Sequence, residues 1–171
     1  MMQSETTPTH VPLSADMLER FAREVAKFPA DQKQSAVMAC LTIVQAERGY
    51  VSRQSEDEVA AYLGMAPIAV YEVTTFYNMY NQQPVGRWKL NVCTNLPCQL
   101  RDGQAALAHI CKKLDVAVGG TTADGLFTVQ QSECLGACAD SPVMLVNDRE
   151  MISFMSNDRI DDLLATLAQA K

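Results

Sequence analysis

The sequence has no apolar run of roughly 18 residues or more, the length that a membrane helix needs. It also has no surplus of basic residues, because 14 lysines and arginines stand against 20 aspartates and glutamates, for a net charge of −6. Proteins that bind nucleic acids usually carry clustered basic surface. We therefore expect a protein that does not insert into a membrane itself and does not bind nucleic acid.

Known nucleotide-binding and targeting motifs are also missing. Gly119 and Gly120 form an isolated pair outside any G-x-G-x-x-G or P-loop frame. The N-terminus has neither the basic start and apolar core of a secretory signal nor the arginines of a transit peptide. We expect residues 1–13 to form a disordered tail, and we favour a bacterial protein over a mature chain whose leader was removed. Six cysteines in such a chain indicate a reducing compartment, where cysteines more often bind metals or catalyse reactions than form disulfides.

Residues 14–84 show helical periodicity throughout and predict a small helical bundle. Ser14 can cap the first helix, and Gly49 ends the second. Ser55 followed by Glu58 predicts a capping box at the start of the third helix. The fourth helix has a proline in its first turn, where proline is tolerated.

The pattern changes near residue 85, after a run of turn residues. Strands are predicted at 88–92, 126–129 and 143–146, and helices at 104–114 and 158–168. The order β-α-β-β-α predicts a mixed sheet with helices packed against it. The fold class is therefore α+β, with the helical bundle followed by a second domain at residues 85–171.

Four of the six cysteines form two pairs. Four residues separate Cys93 from Cys98, and three separate Cys134 from Cys138. Each pair directly follows a predicted strand, so the two pairs can converge where their loops leave the sheet. A [2Fe-2S] cluster takes two thiolates on each iron, which suits paired ligands from two loops. Spacing alone leaves open a zinc-stabilised interaction module with four cysteines, although zinc ligand pairs favour two intervening residues. A disulfide or redox dithiol is a weaker interpretation, because the sequence has no Cys-x-x-Cys spacing.

The other candidate ligands have simpler interpretations. Cys40 and Cys111 lie on the apolar stripes of predicted helices, and free cysteine is among the most buried residue types. We interpret both as small core residues. His10 in the tail and His109 on a predicted helix are interpreted as solvated or structural. We assign no catalytic residue.

Six short segments carry a resemblance to a known family: residues 75–80, 84–87, 92–98, 121–127, 133–138 and 141–142. They closely resemble the small [2Fe-2S] subunit of respiratory complex I, the NADH:quinone oxidoreductase. The resemblance extends from about residue 14 to the C-terminus and is densest around the cysteine pairs. Related chains occur in NAD-linked hydrogenases and NAD-dependent formate dehydrogenases, so those parent enzymes remain alternatives.

The resemblance implies a helical N-terminal region and a thioredoxin-like [2Fe-2S] ferredoxin domain. It implies one [2Fe-2S] cluster held by Cys93, Cys98, Cys134 and Cys138. It also implies a partner subunit that binds FMN and NADH, exchange of single electrons with that flavin, and contacts with other peripheral-arm subunits. The assembly is expected on the cytoplasmic side of the bacterial inner membrane. The chain would belong to an oxidoreductase but have no catalytic activity when isolated.

The two regions are expected to have different tasks. We expect residues 85–171 to fold alone and hold the cluster, as domains with their own core can. The helices at 14–84 are expected to dock the chain onto the flavin-bearing subunit, because their apolar stripes and the aromatic residues Phe76, Tyr77 and Tyr80 exceed what a small bundle needs. The alternative is that the helices pack on the ferredoxin domain and are required for its folding.

Overall fold

A computed structural model of the chain describes residues 12–170. Of the predicted tail, residues 1–11 lie outside the described residues. The chain divides into two compact units, and the division falls between Gln83 and Pro84. In the part of the chain that the structure describes, no helix is long and apolar enough to cross a membrane.

The first unit is helical, as predicted. Ser14 caps the first helix by accepting a hydrogen bond from the Met17 N–H at 3.1 Å. Gly49 adopts the left-handed conformation that ends the second helix, with φ +79°. The elements are α1 (Ala15–Val25), a 3-10 segment (Ala30–Ala36), α2 (Val37–Arg48), α3 (Arg53–Leu63) and α4 (Pro67–Phe76).

The start of α3 differs from the prediction. Ser52 is the N-cap, since its backbone is extended and its hydroxyl accepts a hydrogen bond from the Ser55 N–H. Ser55 and Glu58 instead both bind the guanidinium of Arg48, at 2.7 and 2.9 Å. The predicted capping box is therefore wrong, because Arg48 of the preceding helix donates hydrogen bonds to the side chains of both Ser55 and Glu58.

The core of the first unit forms where α1, α2, α3 and α4 meet. Met17 and Phe21 are the buried residues of α1, while Leu18 is 39% exposed, so the buried stripe of this helix is narrower than its apolar pattern. Tyr80 closes the unit by donating a hydrogen bond from its hydroxyl to the Met38 carbonyl at 2.9 Å. The buried cluster contains Met17, Phe21, Ala36, Cys40, Leu41, Ile43, Val44, Val51, Val59, Ala60, Leu63, Val70 and Tyr80.

The second unit is a four-stranded mixed sheet with helices, which confirms the α+β fold class. The strand order is β2-β1-β3-β4; β1 and β2 are parallel, and the other two pairings are antiparallel. The three predicted strands and two predicted helices are present, while β4 and α5 were not predicted. The elements are β1 (Trp88–Cys93), α5 (Leu96–Gln99), α6 (Gly103–Leu114), β2 (Phe127–Ser132), β3 (Met144–Val146), β4 (Glu150–Ile152) and α7 (Asn157–Gln169), with a 3-10 turn at Cys138–Asp140.

Alternate residues of β1 have different surroundings. Leu90 and Val92 are buried in a core with residues of α6 and α7. Lys89 and Asn91 have the opposite parity, and both bind the carboxylate of Asp148 at 2.5 Å. Because side chains alternate along a strand, the last residue of β1 shares the parity of this polar pair and not that of the apolar core. That residue is a cysteine.

Candidate metal centre

Both cysteine pairs lie at one edge of the sheet. Cys93 ends β1, and its partner in the parallel pairing is Ser132, which ends β2. Cys134 follows β2 after a single residue. Because parallel strands run in the same direction, the chain leaves both strands at the same edge. The structure thereby brings the loops that carry all four predicted ligands side by side.

Cys93 and Cys98 form the buried pair. Each is only 1% exposed. Val143 is buried with them, and Leu135 and Ala137 from the second loop pack against the same cluster. This pair is therefore enclosed by apolar side chains, which exclude water from its sulfur atoms.

Gly103 allows α6 to begin directly against the buried pair. A Cβ atom at this position would lie 2.8 Å from the carbonyl oxygen of Cys98 and 2.9 Å from that of Cys93. Both contacts are with backbone, which cannot move aside as a flexible side chain can. Only glycine permits this approach.

Cys134 and Cys138 form the exposed pair. Their Sγ atoms lie 3.4 Å apart, close to the roughly 3.8 Å that separates two thiolates on one tetrahedral metal with bonds of about 2.3 Å. Gly136 lies between them with φ +81°, and its N–H points to Cys134 Sγ at 3.4 Å. The backbone of this loop thus already holds its two sulfur atoms together.

Hydrogen bonds join the two loops beside the cysteines. The side-chain amide of Asn95 donates to the Glu133 carboxylate at 2.6 Å, and that of Gln131 donates to the Thr94 hydroxyl at 2.6 Å. The Thr94 N–H donates to the Ser132 carbonyl at 3.1 Å, one residue beyond the end of β1. The separation of the two cysteine pairs is therefore fixed by the fold.

The thiol pKa values reflect sulfur atoms crowded into a small volume. Burial raises the pKa of Cys93, and the neighbouring Cys98 thiol adds to the rise. The Cys134 side chain raises the pKa of Cys138, and burial and the charges of the other pair act in the same direction. Thiolates this close repel one another unless a cation lies among them. The arrangement thus favours a positively charged metal centre.

The surroundings of Cys98 lower the pKa of its thiol. Burial acts most strongly on its pKa and would raise it, but hydrogen bonds with the Ser141 hydroxyl, the Val143 N–H and the Cys93 thiol together lower the pKa. Hydrogen bonds to a charged group favour its charged form. Such bonds to ligand sulfur atoms also tune the potential of iron–sulfur clusters.

The four thiols are arranged two by two, with one pair buried and one exposed. Within residues 12–170, no group of three or more His, Cys, Asp or Glu side chains is close enough to hold a single metal ion. A [2Fe-2S] cluster places two thiolates on each of two irons. The two pairs, joined by the loop contacts and supplied with N–H donors, fit that requirement.

The remaining predicted residues have structural surroundings. Cys40 is fully buried in the first unit, and burial raises the pKa of its thiol to about 12, so it remains a neutral core residue. Cys111 is half-buried and packs on the core of the second unit. His109 lies on α6 with Nε2 2.8 Å from the Asp161 carboxylate of α7. His10 lies outside the described residues.

Sequence reasoning missed Gly103 and Ser141 as parts of this site. Ser141 is 1% exposed, and its hydroxyl lies 3.5 Å from Cys98 Sγ. The available signals are weak: a glycine five residues after the first pair, and a small polar residue three residues after the second. Gly103 acts at the start of α6, against the backbone of the buried pair, and Ser141 contacts Cys98 on the other loop. A local sequence pattern does not show contacts between separate segments.

Comparison with known proteins identifies the family. The sequence profile of the thioredoxin-like [2Fe-2S] ferredoxins matches residues 21–168. This chain belongs to that family. Family members carry a [2Fe-2S] cluster, so the predicted cofactor is confirmed and a zinc module is set aside.

Several curated relatives align with most of the chain. NADH-quinone oxidoreductase subunit 2 of Thermus thermophilus is 36% identical over 146 residues, which cover 85% of this chain and 81% of the relative. A second NADH-quinone oxidoreductase subunit, from Rhizobium meliloti, is 37% identical over 155 residues, covering 91% of this chain and 90% of the relative. A mitochondrial NADH dehydrogenase [ubiquinone] flavoprotein 2 of Dictyostelium discoideum is 37% identical, and the alignment spans 61% of its length.

A solved structure has the same fold. The air-oxidised NAD⁺-reducing [NiFe]-hydrogenase matches with a TM-score of 0.67 and 23% identity. The match covers 80% of this chain but only 23% of the hydrogenase chain. At this level of identity the similarity shows the fold alone.

We expect serine replacement of Cys93, Cys98, Cys134 or Cys138 to damage or abolish the cluster, because a hydroxyl is a poor substitute for thiolate on iron. Cys40→Ser and Cys111→Ser are matched controls that keep the cluster. Where the new hydroxyl is buried without a partner, they lose about 1–3 kcal/mol of stability. Iron and acid-labile sulfide analysis, with thermal unfolding, checks all six variants. A cluster lost from Cys111→Ser but retained by Cys98→Ser would contradict the ligand assignment.

We also expect Gly103→Ala to reduce iron content, because its methyl group meets the backbone of both buried cysteines. Gly125→Ala is the matched control: no atom lies within 4 Å of its added Cβ, but its φ is +70°. The control therefore has only the left-handed strain of about 1–2 kcal/mol and keeps its iron. Iron per chain and the free energy of unfolding distinguish the two. Equal iron content in both variants would show that the contact with α6 does not shape the site.

Proposed function

We propose that this chain is the small electron-transfer subunit of an NADH:quinone oxidoreductase and holds its [2Fe-2S] cluster on Cys93, Cys98, Cys134 and Cys138. Relatives that are named as subunits of that enzyme align with most of this chain and with most of their own length. The observation that carries the ligand assignment is the convergence of two cysteine pairs, one buried and one exposed, at one edge of the sheet.

A [2Fe-2S] cluster bound at this edge supplies one-electron redox chemistry. The residues of the chain determine how strongly negative charge is stabilised there. Val143 and Leu135 exclude water from the buried sulfur atoms. Backbone N–H groups donate hydrogen bonds to Cys93 and Cys98. These fixed dipoles need little rearrangement when the charge at the site changes.

The exposed pair faces the partner in this proposal. Cys134 and Cys138 reach the surface, whereas the other two cysteines are covered. Because electron transfer weakens steeply with distance, the exposed pair offers the shortest route between this site and a redox group on another protein of the assembly. Single electrons are thus exchanged between the cluster and the partner through the loop that carries Cys134 and Cys138.

FMN and NADH are assigned to a partner subunit, because this sequence has no dinucleotide motif. The quinone in the name of the relatives is a lipid-soluble acceptor, which requires a membrane-bound assembly. We accordingly place the chain among the peripheral-arm subunits, on the cytoplasmic side of the bacterial inner membrane, attached through other subunits. An NAD-linked hydrogenase, in which this fold makes up 23% of one chain, is the second candidate for the parent enzyme.

The two units have separate roles in this proposal. The second unit contains all four paired cysteines and its own apolar core, so it holds the cluster. In the first unit, α4 buries Val70 and Thr74 but leaves Ile68 58% and Phe76 79% exposed. The adjoining Tyr77 is also 40% exposed. We assign this outward face of α4 to the flavin-bearing subunit, because large apolar side chains exposed together mark interaction sites.

The isolated chain is expected to show no NADH dehydrogenase activity. Its reduced cluster should give the electron paramagnetic resonance signal of a one-electron carrier, and activity should require a flavin-bearing partner. The cluster-free Cys98→Ser variant is the control for the signal. NADH-dependent dye reduction by purified, flavin-free chain would contradict the proposal. The proteins that co-purify from the host identify the parent, since membrane subunits indicate the quinone enzyme and a hydrogenase indicates the second candidate.

Phe76→Ser is expected to weaken binding to the flavin-bearing subunit by roughly thirtyfold, corresponding to the loss of about 2 kcal/mol at an aromatic anchor. Val118→Ser is the matched control, because Val118 is an apolar residue of the second unit that is 50% exposed. The affinity of each serine variant for the purified partner is measured with full-length chain.

Full binding in Phe76→Ser, or equal weakening in Val118→Ser, would contradict the role of α4. Expression of residues 85–171 provides a second measurement. A fragment that retains iron but binds poorly supports the division of roles. A fragment that cannot fold favours the alternative, in which the helices are needed for folding of the ferredoxin domain.

A further inference from the structure

Ser141 lies between the two cysteine pairs without belonging to either. Its side chain is buried, with only 1% of the residue exposed. Its hydroxyl donates a hydrogen bond to the Cys138 carbonyl oxygen at 2.6 Å. The hydroxyl oxygen in turn accepts a hydrogen bond from the Cys98 thiol at 3.5 Å. One side chain thus contacts the backbone of the exposed pair and a sulfur atom of the buried pair.

We propose that Ser141 is a positioning residue for the cluster: its hydroxyl holds the Cys138 carbonyl while Cys98 is a thiol, and turns to donate to Cys98 Sγ once that sulfur is a metal-bound thiolate, which raises the reduction potential. This inference rests on the cluster and the ligand assignment proposed above. It adds a residue outside the four cysteines that acts on both halves of the site.

The chemistry follows from the single proton of the hydroxyl. A serine hydroxyl has one proton to donate and two lone pairs to accept with. As a thiol, Cys98 donates to Ser141, and the serine proton goes to the Cys138 carbonyl. As a metal-bound thiolate, Cys98 has no proton to donate, so its sulfur becomes a second acceptor within reach of the hydroxyl. Rotation of the hydroxyl then directs the proton to the more negative of the two acceptors.

The direction of the effect on the potential follows from charge. Reduction adds an electron to the site, so the ligand sulfur atoms become more negative. A hydrogen bond to sulfur therefore stabilises the reduced state more than the oxidised state, which raises the potential. Burial strengthens this bond, because no water competes for the hydroxyl and the local dielectric constant is low.

A purely space-filling role for Ser141 makes a different prediction. In that case the size of the side chain matters and its hydroxyl does not. Threonine and valine have nearly the same shape and differ in the hydroxyl, so this pair of replacements separates the two roles. Ser153 supplies a control of the same type, because its hydroxyl lies 3.4 Å from the Asp140 carboxylate and is bonded to no cysteine.

The experiment uses full-length, cluster-loaded protein and measures the midpoint potential by redox titration followed by electron paramagnetic resonance. Ser141→Ala is expected to have a lower potential than the wild type, while Ser153→Ala matches the wild type. Ser141→Thr is expected to have a higher potential than Ser141→Val. Electron–nuclear double resonance in heavy water should detect an exchangeable proton near the cluster that is lost in the alanine and valine variants.

Equal potentials in the threonine and valine variants would overturn the proposal. If Ser141→Ala binds no iron, the threonine and valine variants still test the proposal. A cluster that is retained with threonine and lost with valine supports a role for the hydroxyl. Equal loss from both would overturn it, because side-chain size would then be the cause. Wild-type protein without iron and sulfide would refute the cluster itself, and this is measured before any variant is made.

Discussion

The parallel pairing of β1 and β2 is the constraint on which the site depends. The register runs from Trp88 opposite Phe127 to Cys93 opposite Ser132, so both strands end at the same level. A shift by one residue would reverse the faces of β1. Cys93 would then lie on the side of the apolar core, Leu90 would leave that core, and the two loops would leave the sheet at different levels. Pairing in the sheet therefore sets the positions of all four thiols.

The buried cysteine pair is held by contacts with its surroundings, whereas the exposed pair is accessible at the surface. Gly103 lets α6 begin against the carbonyl groups of the buried pair, and the bond between Asn95 and Glu133 joins the two loops. The exposed pair relies on its own backbone, with the Gly136 N–H directed at sulfur. A redox site needs both properties, since fixed dipoles reduce rearrangement and an open edge shortens the route to a partner.

The sequence predicts the parts of this fold whose signals are local. Periodicity identifies β1, α6 and α7, and the spacing of the cysteines predicts a metal centre. The two shortest elements, β4 and α5, have three and four residues, too few to show a period. The cap of α3 was misplaced because Arg48 reaches Ser55 from the preceding helix. The two cysteine pairs also have similar patterns, so the sequence does not show which pair is buried. That difference arises from packing with Val143 and α6.

In the proposed function, the chemistry of the site and the docking of α4 on a partner belong to different units. Among residues 12–83, the only cysteine is Cys40, and a thiol with a pKa of about 12 in a packed core is no ligand. The second unit, in contrast, has all four paired cysteines and the N–H groups that donate hydrogen bonds to them. Changes on the outward face of α4 can therefore alter docking while the donors to Cys98 stay in place. Changes at Ser141 can alter the potential while the helical surface is unchanged. If both proposals hold, each property depends on its own set of contacts, so each can be varied and measured without the other.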